Sequence, residues 1–251
     1  AVTLQYRIEA KDIRNSGWNY TSSDSTLSVS FWARSVKAGT YCVFLFSQDG
    51  TQRCNVQEYT LVANTWKHIE LEFPGDSTIT FDDNTENGLT VGWTLQAGAH
   101  RYESVVNGQW ITRTDGNNQG RYATSNQVNF LDSTDNNFYL TGVQIEVGKA
   151  TRFEHRSYGE ELLLCQRYYF KETASNNTYM FGYGNTPQSY GLAQLSQPTS
   201  FRAAPTITIT GSANASSVGA SALSPFYSIA YCNTSNASAP RLTGYEMSAE
   251  L

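Results

Sequence analysis

The sequence predicts an all-β protein: two β-sandwich, jelly-roll-like domains joined by a short helix. Three observations point there. Short apolar-polar alternations recur along the chain with turn-forming residues between them, the signature of half-buried strands. Charged residues make up only 16% of the 251 residues while aromatics reach 13%. A surface of hydroxyls, amides and glycines suits strands and turns, whereas helical surfaces are usually dense in Lys and Glu. A clear helix start stands out at Ser157-Tyr158-Gly159-Glu160, with serine at the N-cap and glutamate three residues on.

Residues 1–156 form the first predicted domain, read as roughly ten strands without helical period. Leu27, Val29, Phe31 and Ala33 share one strand face. Thr40 to Phe46 is a denser apolar run, expected to be covered on both faces. Asp49-Gly50 then offers turn chemistry, and Val56 to Val62 returns as the partner strand. Trp66, His68, Glu70 and Glu72 alternate with Lys67, Ile69, Leu71 and Phe73. Further strands are expected at Thr78 to Phe81, Leu89 to Leu95, Trp110 to Arg113, Gln127 to Leu131 and Phe138 to Val147. Residues 157–171 are the capped helix and connector, placed so as to seal one end of the first domain. Residues 172–251 form a second, smaller β-sandwich, charge-poor and tyrosine-rich, in which Ala204-Pro205 opens a strand from Thr206 to Thr210.

A chain of this length can bury a real core. Its net charge of −5 and the lack of a basic stripe argue against a nucleic-acid partner. No apolar run approaches the ~18 residues of a membrane span, and no signal peptide is read at the start. The chain begins at Ala1 without methionine, directly in strand-like sequence, which suggests the distal piece of a longer protein. The spacings of Cys42, Cys54, Cys165 and Cys232 match no metal motif. Cys42 and Cys54 face each other across one possible hairpin, but free, buried cysteines are the plainer expectation.

Catalysis finds little purchase. His68, His100 and His155 lie in separate segments, away from any nucleophile or metal motif. Glu70/Glu72 and Asp82/Asp83/Glu86 are the carboxylate sets that a glycoside hydrolase would require, yet such spacings recur by chance, and no catalytic residue is assigned. Asp82, Asp83 and Glu86 in FDDNTENG also offer hard oxygens for structural calcium. The EF-hand register fails, since the twelfth residue from Asp83 is Thr94, and a solvated turn competes with the metal reading. LDSTDNN, with Asp132, Asp135 and Asn136, is a second such turn.

Sugar recognition needs flat aromatic faces beside amides or carboxylates. Trp18 and Tyr20 combine these in one apparent loop, and Trp110 and Tyr122, with Asp115, Asn117 and Asn118, in another. Tyr179, Tyr183, Tyr190, Tyr227 and Tyr231 lie in polar segments of the second domain. The competing reading makes each ring a core or subunit-interface residue. Trp32, Trp66 and Trp93, inside strand patterns, are assigned to the core.

Several segments carry a resemblance. SVSFWARSVKAGTY is similar to an early strand pair, and EYTLVANTWKHIELEFPGD to a middle hairpin, of the jelly-roll modules in bacteriophage tail fibre and receptor-binding proteins. YLTGVQIEVG with FEHRSYGEELLLCQRYY resembles the exit of such modules into a distal tip, and FRAAPTITIT and YEMSAEL resemble fibre C-termini. The resemblance implies a homotrimer displayed on a virion as a tail or head fibre, assembled in the bacterial cytoplasm with other virion proteins. It also implies adhesion to a surface polysaccharide or lipopolysaccharide without catalysis. Jelly-roll carbohydrate modules often hold calcium, which is what the resemblance adds to the acidic turns. Two other classes stay open: a structural virion or capsid-decoration protein, and a carbohydrate-binding module of a glycanase.

Overall fold

The computed structural model describes residues 1–113, 120–173, 190–234 and 241–250. The chain divides into two compact units between Glu154 and His155. The first contains β1 (Val2–Glu9), α1 (Ala10–Asn15), β2 (Thr26–Ser35), β3 (Gly39–Ser47), β4 (Arg53–Leu61), β5 (Lys67–Pro74), β6 (Asn87–Gln96), β7 (Trp110–Thr112) and β8 (Phe138–Val147). They form a five-stranded sheet, ordered β1-β6-β3-β4-β7, and a three-stranded sheet, ordered β5-β2-β8. Neighbouring strands run antiparallel throughout.

The core between these sheets follows from the period-two pattern. Leu27, Val29, Phe31 and Ala33 of β2, with Ile69 and Phe73 of β5, meet Tyr41, Val43, Leu45, Tyr59, Leu89, Val91 and Trp93 of the larger sheet. β3 is apolar on both faces because its other face is covered too. Cys42, Phe44 and Phe46 pack with Cys54, Val56 and Ala123 beneath Tyr102, Val105 and Tyr122. Gly92 of β6 lies under the Phe44 ring, where an added Cβ would come 2.0 Å from Phe44 Cζ. Gly92→Val is expected to force that ring out of place and cost about 1–3 kcal/mol or more, measured by chemical denaturation.

Two predicted strands are absent. Around Thr78 the Asp76 carboxylate accepts from the Thr78 backbone N–H at 2.9 Å, an Asx turn that bends the chain. Ile79 and Phe81 still bury their side chains from this loop. Near Gln127 a single bridge to Thr40 and a short 3-10 turn at Phe130–Asp132 replace the strand. There the Gln127 amide donates to the carbonyls of Thr94 and Leu95, both at 3.1 Å. Helix α1, not expected from the sequence, is too short to show a period and buries only Ala10 and Ile13.

The second unit contains α2 (Tyr158–Gln166), β9 (Tyr169–Thr173), β10 (Tyr190–Gln194), β11 (Thr206–Ala213), β12 (Ala215–Ser224), β13 (Tyr227–Thr234) and β14 (Arg241–Ser248). Its two antiparallel sheets run β10-β13-β12 and β11-β14-β9. Leu195, Phe201, Ala230, Cys232, Leu242, Tyr245 and Met247 form a shared core. The capping box at α2 is present: Ser157 Oγ accepts from the Glu160 N–H at 3.3 Å, and Glu160 Oε2 from the Ser157 N–H at 3.0 Å. α2 belongs to the second unit and buries no residue. Leu162, Leu163 and Leu164 are consecutive, so at about 100° per residue they spread around the helix instead of forming one stripe. The second unit therefore starts at His155, earlier than residue 172, with β9 paired to β14.

None of the four cysteines is in a disulfide. Cys42 pairs in register with Glu58, and Cys54 with Phe46, so the two sulfurs do not face each other. Cys42, Cys54 and Cys232 are buried as expected, but Cys165 on α2 is exposed. Burial pushes the Cys42 thiol up to about 11 and that of Cys54 up to about 12. In the unfolded chain thiols titrate near ~8.5, so the unfolded state releases these protons first as pH rises. Their contribution to stability is whole below about pH 8.5 and is lost as pH climbs towards the folded values. The urea midpoint is expected to fall steadily above about pH 9. At neutral pH a thiol reagent should label Cys165 rapidly but reach Cys42 and Cys54 only after unfolding.

Candidate functional site

The loop aromatics singled out in the first unit are largely packing residues. Trp18 is 2% exposed, and its indole N–H donates to the Ser25 carbonyl at 3.2 Å. It packs with Tyr20 and Phe81, and the Tyr20 and Phe81 centroids are 4.9 Å apart. Trp110 is 9% exposed and donates to the Pro74 carbonyl at 2.6 Å. Tyr122 is half-buried against Phe44 and Phe46, at 5.2 and 5.0 Å, with the Arg101 guanidinium over its ring. Asn19 beside Trp18 and Gln109 beside Trp110 are exposed while the two indoles turn inward, so Trp18 and Trp110 present no face to a ligand.

Asp115, Asn117, Asn118, Tyr179 and Tyr183 lie outside the described residues, as does the side chain of Tyr190 at the start of β10. Tyr227 and Tyr231 are 40% and 38% exposed. Both stand on the outer face of β13, and Tyr231 pairs in register with Leu192 and Gly219. A Cβ on Gly219 would meet the Tyr231 ring at 2.5 Å, so that ring lies across the glycine.

The acidic turn is tied into the backbone around it. Asn84 O and Glu86 O accept the backbone N–H groups of Lys11 and Ala10, both at 2.9 Å, and so cap α1. Asp49 Oδ2 accepts from the Asp82 N–H at 3.0 Å. Among the described residues no group of three or more His, Cys, Asp or Glu is placed to hold a metal ion, and Asp82, Asp83 and Glu86 do not form one. In the second acidic turn, Asp132 pairs with Lys37 and accepts from Asn136 at 2.9 Å.

A different surface gathers exposed aromatic and polar groups: the outer face of the β5-β2-β8 sheet. Because Leu27, Val29, Phe31 and Ala33 face the core, Ser28, Ser30, Trp32 and Arg34 turn to the other face, where Ser28 and Ser30 are buried and Trp32 is exposed. Register then builds rows across three strands. Glu72, Ser28 and Glu146 form one; Glu70, Ser30 and Gln144 the next; His68, Trp32 and Thr141 the third. Tyr139 stands opposite Arg34, and Trp66 precedes β5 at the same level.

Trp32 and Trp66 are 44% and 43% exposed, so both leave the core to which the sequence assigned them, whereas Trp93 is buried there. The Trp32 and His68 rings lie 5.1 Å apart. Trp66 and Tyr139 lie 6.3 Å apart, and the Arg34 guanidinium sits 5.5 Å from the Tyr139 ring centre. His68 Nδ1 lies 3.3 Å from Glu70 Oε1.

The segment after β8 braces this face. Glu146 accepts from the Thr151 N–H at 2.9 Å and from its hydroxyl at 2.5 Å. Burial disfavours the charged Glu146, but hydrogen bonds from Gln144 and Thr151 outweigh it and hold its carboxyl below the usual range. Gln144 donates to Arg152 O at 3.3 Å and accepts from the Glu154 N–H at 2.7 Å. A register shift in β8 surrounds Gly142, whose φ of +59° suits glycine. A Cβ there would meet Trp32 Cδ1 at 3.3 Å and Phe153 Cδ2 at 3.9 Å, so Phe153 and Trp32 flank the same glycine.

Stacking faces, an imidazole, a guanidinium and carboxylates thus share the sheet face turned away from the core, with Ser28 and Ser30 buried among them and Gln144 and Glu146 held by the segment after β8. That inventory suits a ligand with both apolar faces and hydroxyls. Glu70 and Glu72 lie on one strand face of it, two residues apart, and His68 beside them is paired with Glu70. The fold and this face define an all-β, two-sandwich protein with an aromatic sheet surface. No protein-family model and no curated protein matches the chain. No helix among the described residues is long and apolar enough to cross a membrane.

Proposed function

We propose that the protein is a non-catalytic adhesin that docks the outer β5-β2-β8 face on a bacterial cell-surface glycan, as the receptor-binding part of a phage fibre carried on the virion. The observation that supports this reading most is the exposure of Trp32 and Trp66 beside Tyr139, Arg34, His68 and Glu70 on one braced sheet face. Exposed tryptophan is costly to leave in water unless something covers it, and a pyranose ring has the matching apolar face. A homotrimer, implied by the family resemblance, would convert weak single contacts into firm attachment, because the second and third contacts become intramolecular.

A second reading, a structural virion or capsid-decoration protein, draws on the other unit. There Leu192, Tyr227 and Tyr231 are exposed, with no charged residue on β10 or β13, a surface suited to packing against another subunit. Binding of the full chain to intact bacteria and their extracted surface glycans separates the two. The adhesin reading expects glycan-dependent binding that survives Tyr227→Ala/Tyr231→Ala. Absence of binding to any cell or glycan by folded protein, with tight binding to capsid, favours the structural part.

A further inference from the structure

The arrangement of charge and rings on the outer β5-β2-β8 face narrows its ligand, if that face is the glycan site proposed above. Two aromatic pairs lie one strand step apart: Trp32 with His68, and Trp66 with Tyr139. Residues two apart on a strand stand about 6.6–6.8 Å apart. One pyranose cannot lie on both pairs, whereas two linked rings span them. The pairs thus set a minimum ligand length.

Charge sets the chemistry. Glu70 stands on β5 one strand step from the Trp32/His68 pair, Glu72 stands two steps away, and Glu146 closes the same end from β8. Facing them are Arg34, laid against Tyr139 at the far end, and His68, placed on Glu70. Lys67 is directed to the Thr60 carbonyl at 3.0 Å, away from this face. Glu146 is occupied by Thr151, but Glu70 is half-exposed and Glu72 is exposed. A uronate or phosphate seated on Trp32 would meet the Glu70 carboxylate at close range and that of Glu72 further along the strand, while hydroxyl, acetamido or ammonium groups could donate to them.

We infer that this face takes an internal stretch of a non-acidic glycan chain, neutral or amino-sugar-bearing and at least two pyranose rings long, and discriminates against acidic chains through Glu70 and Glu72. A carboxylate about 6 Å from a ligand anion in water, as Glu70 would be, contributes roughly a threefold penalty, and one about 13 Å away, as Glu72 would be, less than twofold, together about fivefold.

The test is calorimetric titration of the full chain, of Trp32→Ala and of Glu70→Gln/Glu72→Gln. The probes are neutral hexose oligomers, chitosan oligomers and oligouronides, each of one to six rings. The expected result is affinity that rises sharply from one ring to two or three. It should favour neutral or chitosan chains over oligouronides of equal length, and the double Gln variant should narrow that gap about fivefold. Oligouronide preference, or a gap the double variant leaves unmoved, overturns the inference while Trp32-dependent binding keeps the glycan face itself. Binding indifferent to Trp32→Ala, or no binding by any probe, brings down both.

Discussion

Trp32→Ala is expected to weaken glycan binding at least about 30-fold while leaving the fold intact. Central aromatic anchors of a binding surface cost about 2 kcal/mol or more on truncation, and 1.4 kcal/mol is a factor of ten in affinity. Trp32 sits in the middle strand of the β5-β2-β8 sheet, with His68 on one side and Thr141 on the other. Its loss removes the widest flat surface on the face and leaves His68 without its ring neighbour. Because the side chain is nearly half exposed, stability should change by only about 0.5–1 kcal/mol. Titration of a bound glycan alongside a urea curve measures both effects on one protein.

Phe31→Ala, one residue earlier, should do the reverse. Phe31 is fully buried between the sheets, edge-on to Tyr59 at 5.2 Å and to Trp93 at 5.7 Å. Emptying that volume costs about 3–5 kcal/mol, a lost transfer term plus a cavity. For a unit of this size the midpoint should drop by roughly 6–20 °C. The denaturant slope should stay unchanged, since the area exposed on unfolding is nearly the same. Below the transition the folded protein should keep most of its glycan affinity, because the Trp32 ring points the other way. Equal loss of binding in both variants would mean that the outer face is not a separate functional surface.

The contrast between these neighbours explains what was legible in the sequence. Alternation from Leu27 to Ala33 located β2 and its inward set correctly. The same alternation places Trp32 with Ser28 and Ser30 on the opposite face, and Trp66 with His68 and Glu70. The candidate face was therefore written in the strand period, and the hydrophobicity of tryptophan obscured it. Trp18 and Trp110 failed the other way: polar neighbours suggested exposed loops, yet each ring finds a carbonyl for its N–H and packs inside. Local chemistry with a short-range mechanism read well, as with the Ser157–Glu160 capping box. α2 buries no residue, and the spread of its three leucines around the helix gave no face to read. The second layer over β3 was foreshadowed by the unbroken apolar run from Tyr41 to Phe46, though not the segment that supplies it.

The most direct measurement is a two-dimensional NMR titration of the tryptophan indole N–H signals with a glycan that the protein binds. The chain has five tryptophans, split by burial into an exposed pair, Trp32 and Trp66, and a buried trio, Trp18, Trp93 and Trp110. The expected result is that the Trp32 and Trp66 signals move with glycan and the other three hold still. Saturable binding that leaves Trp32 and Trp66 unmoved would place recognition elsewhere on the molecule and contradict the proposed glycan face.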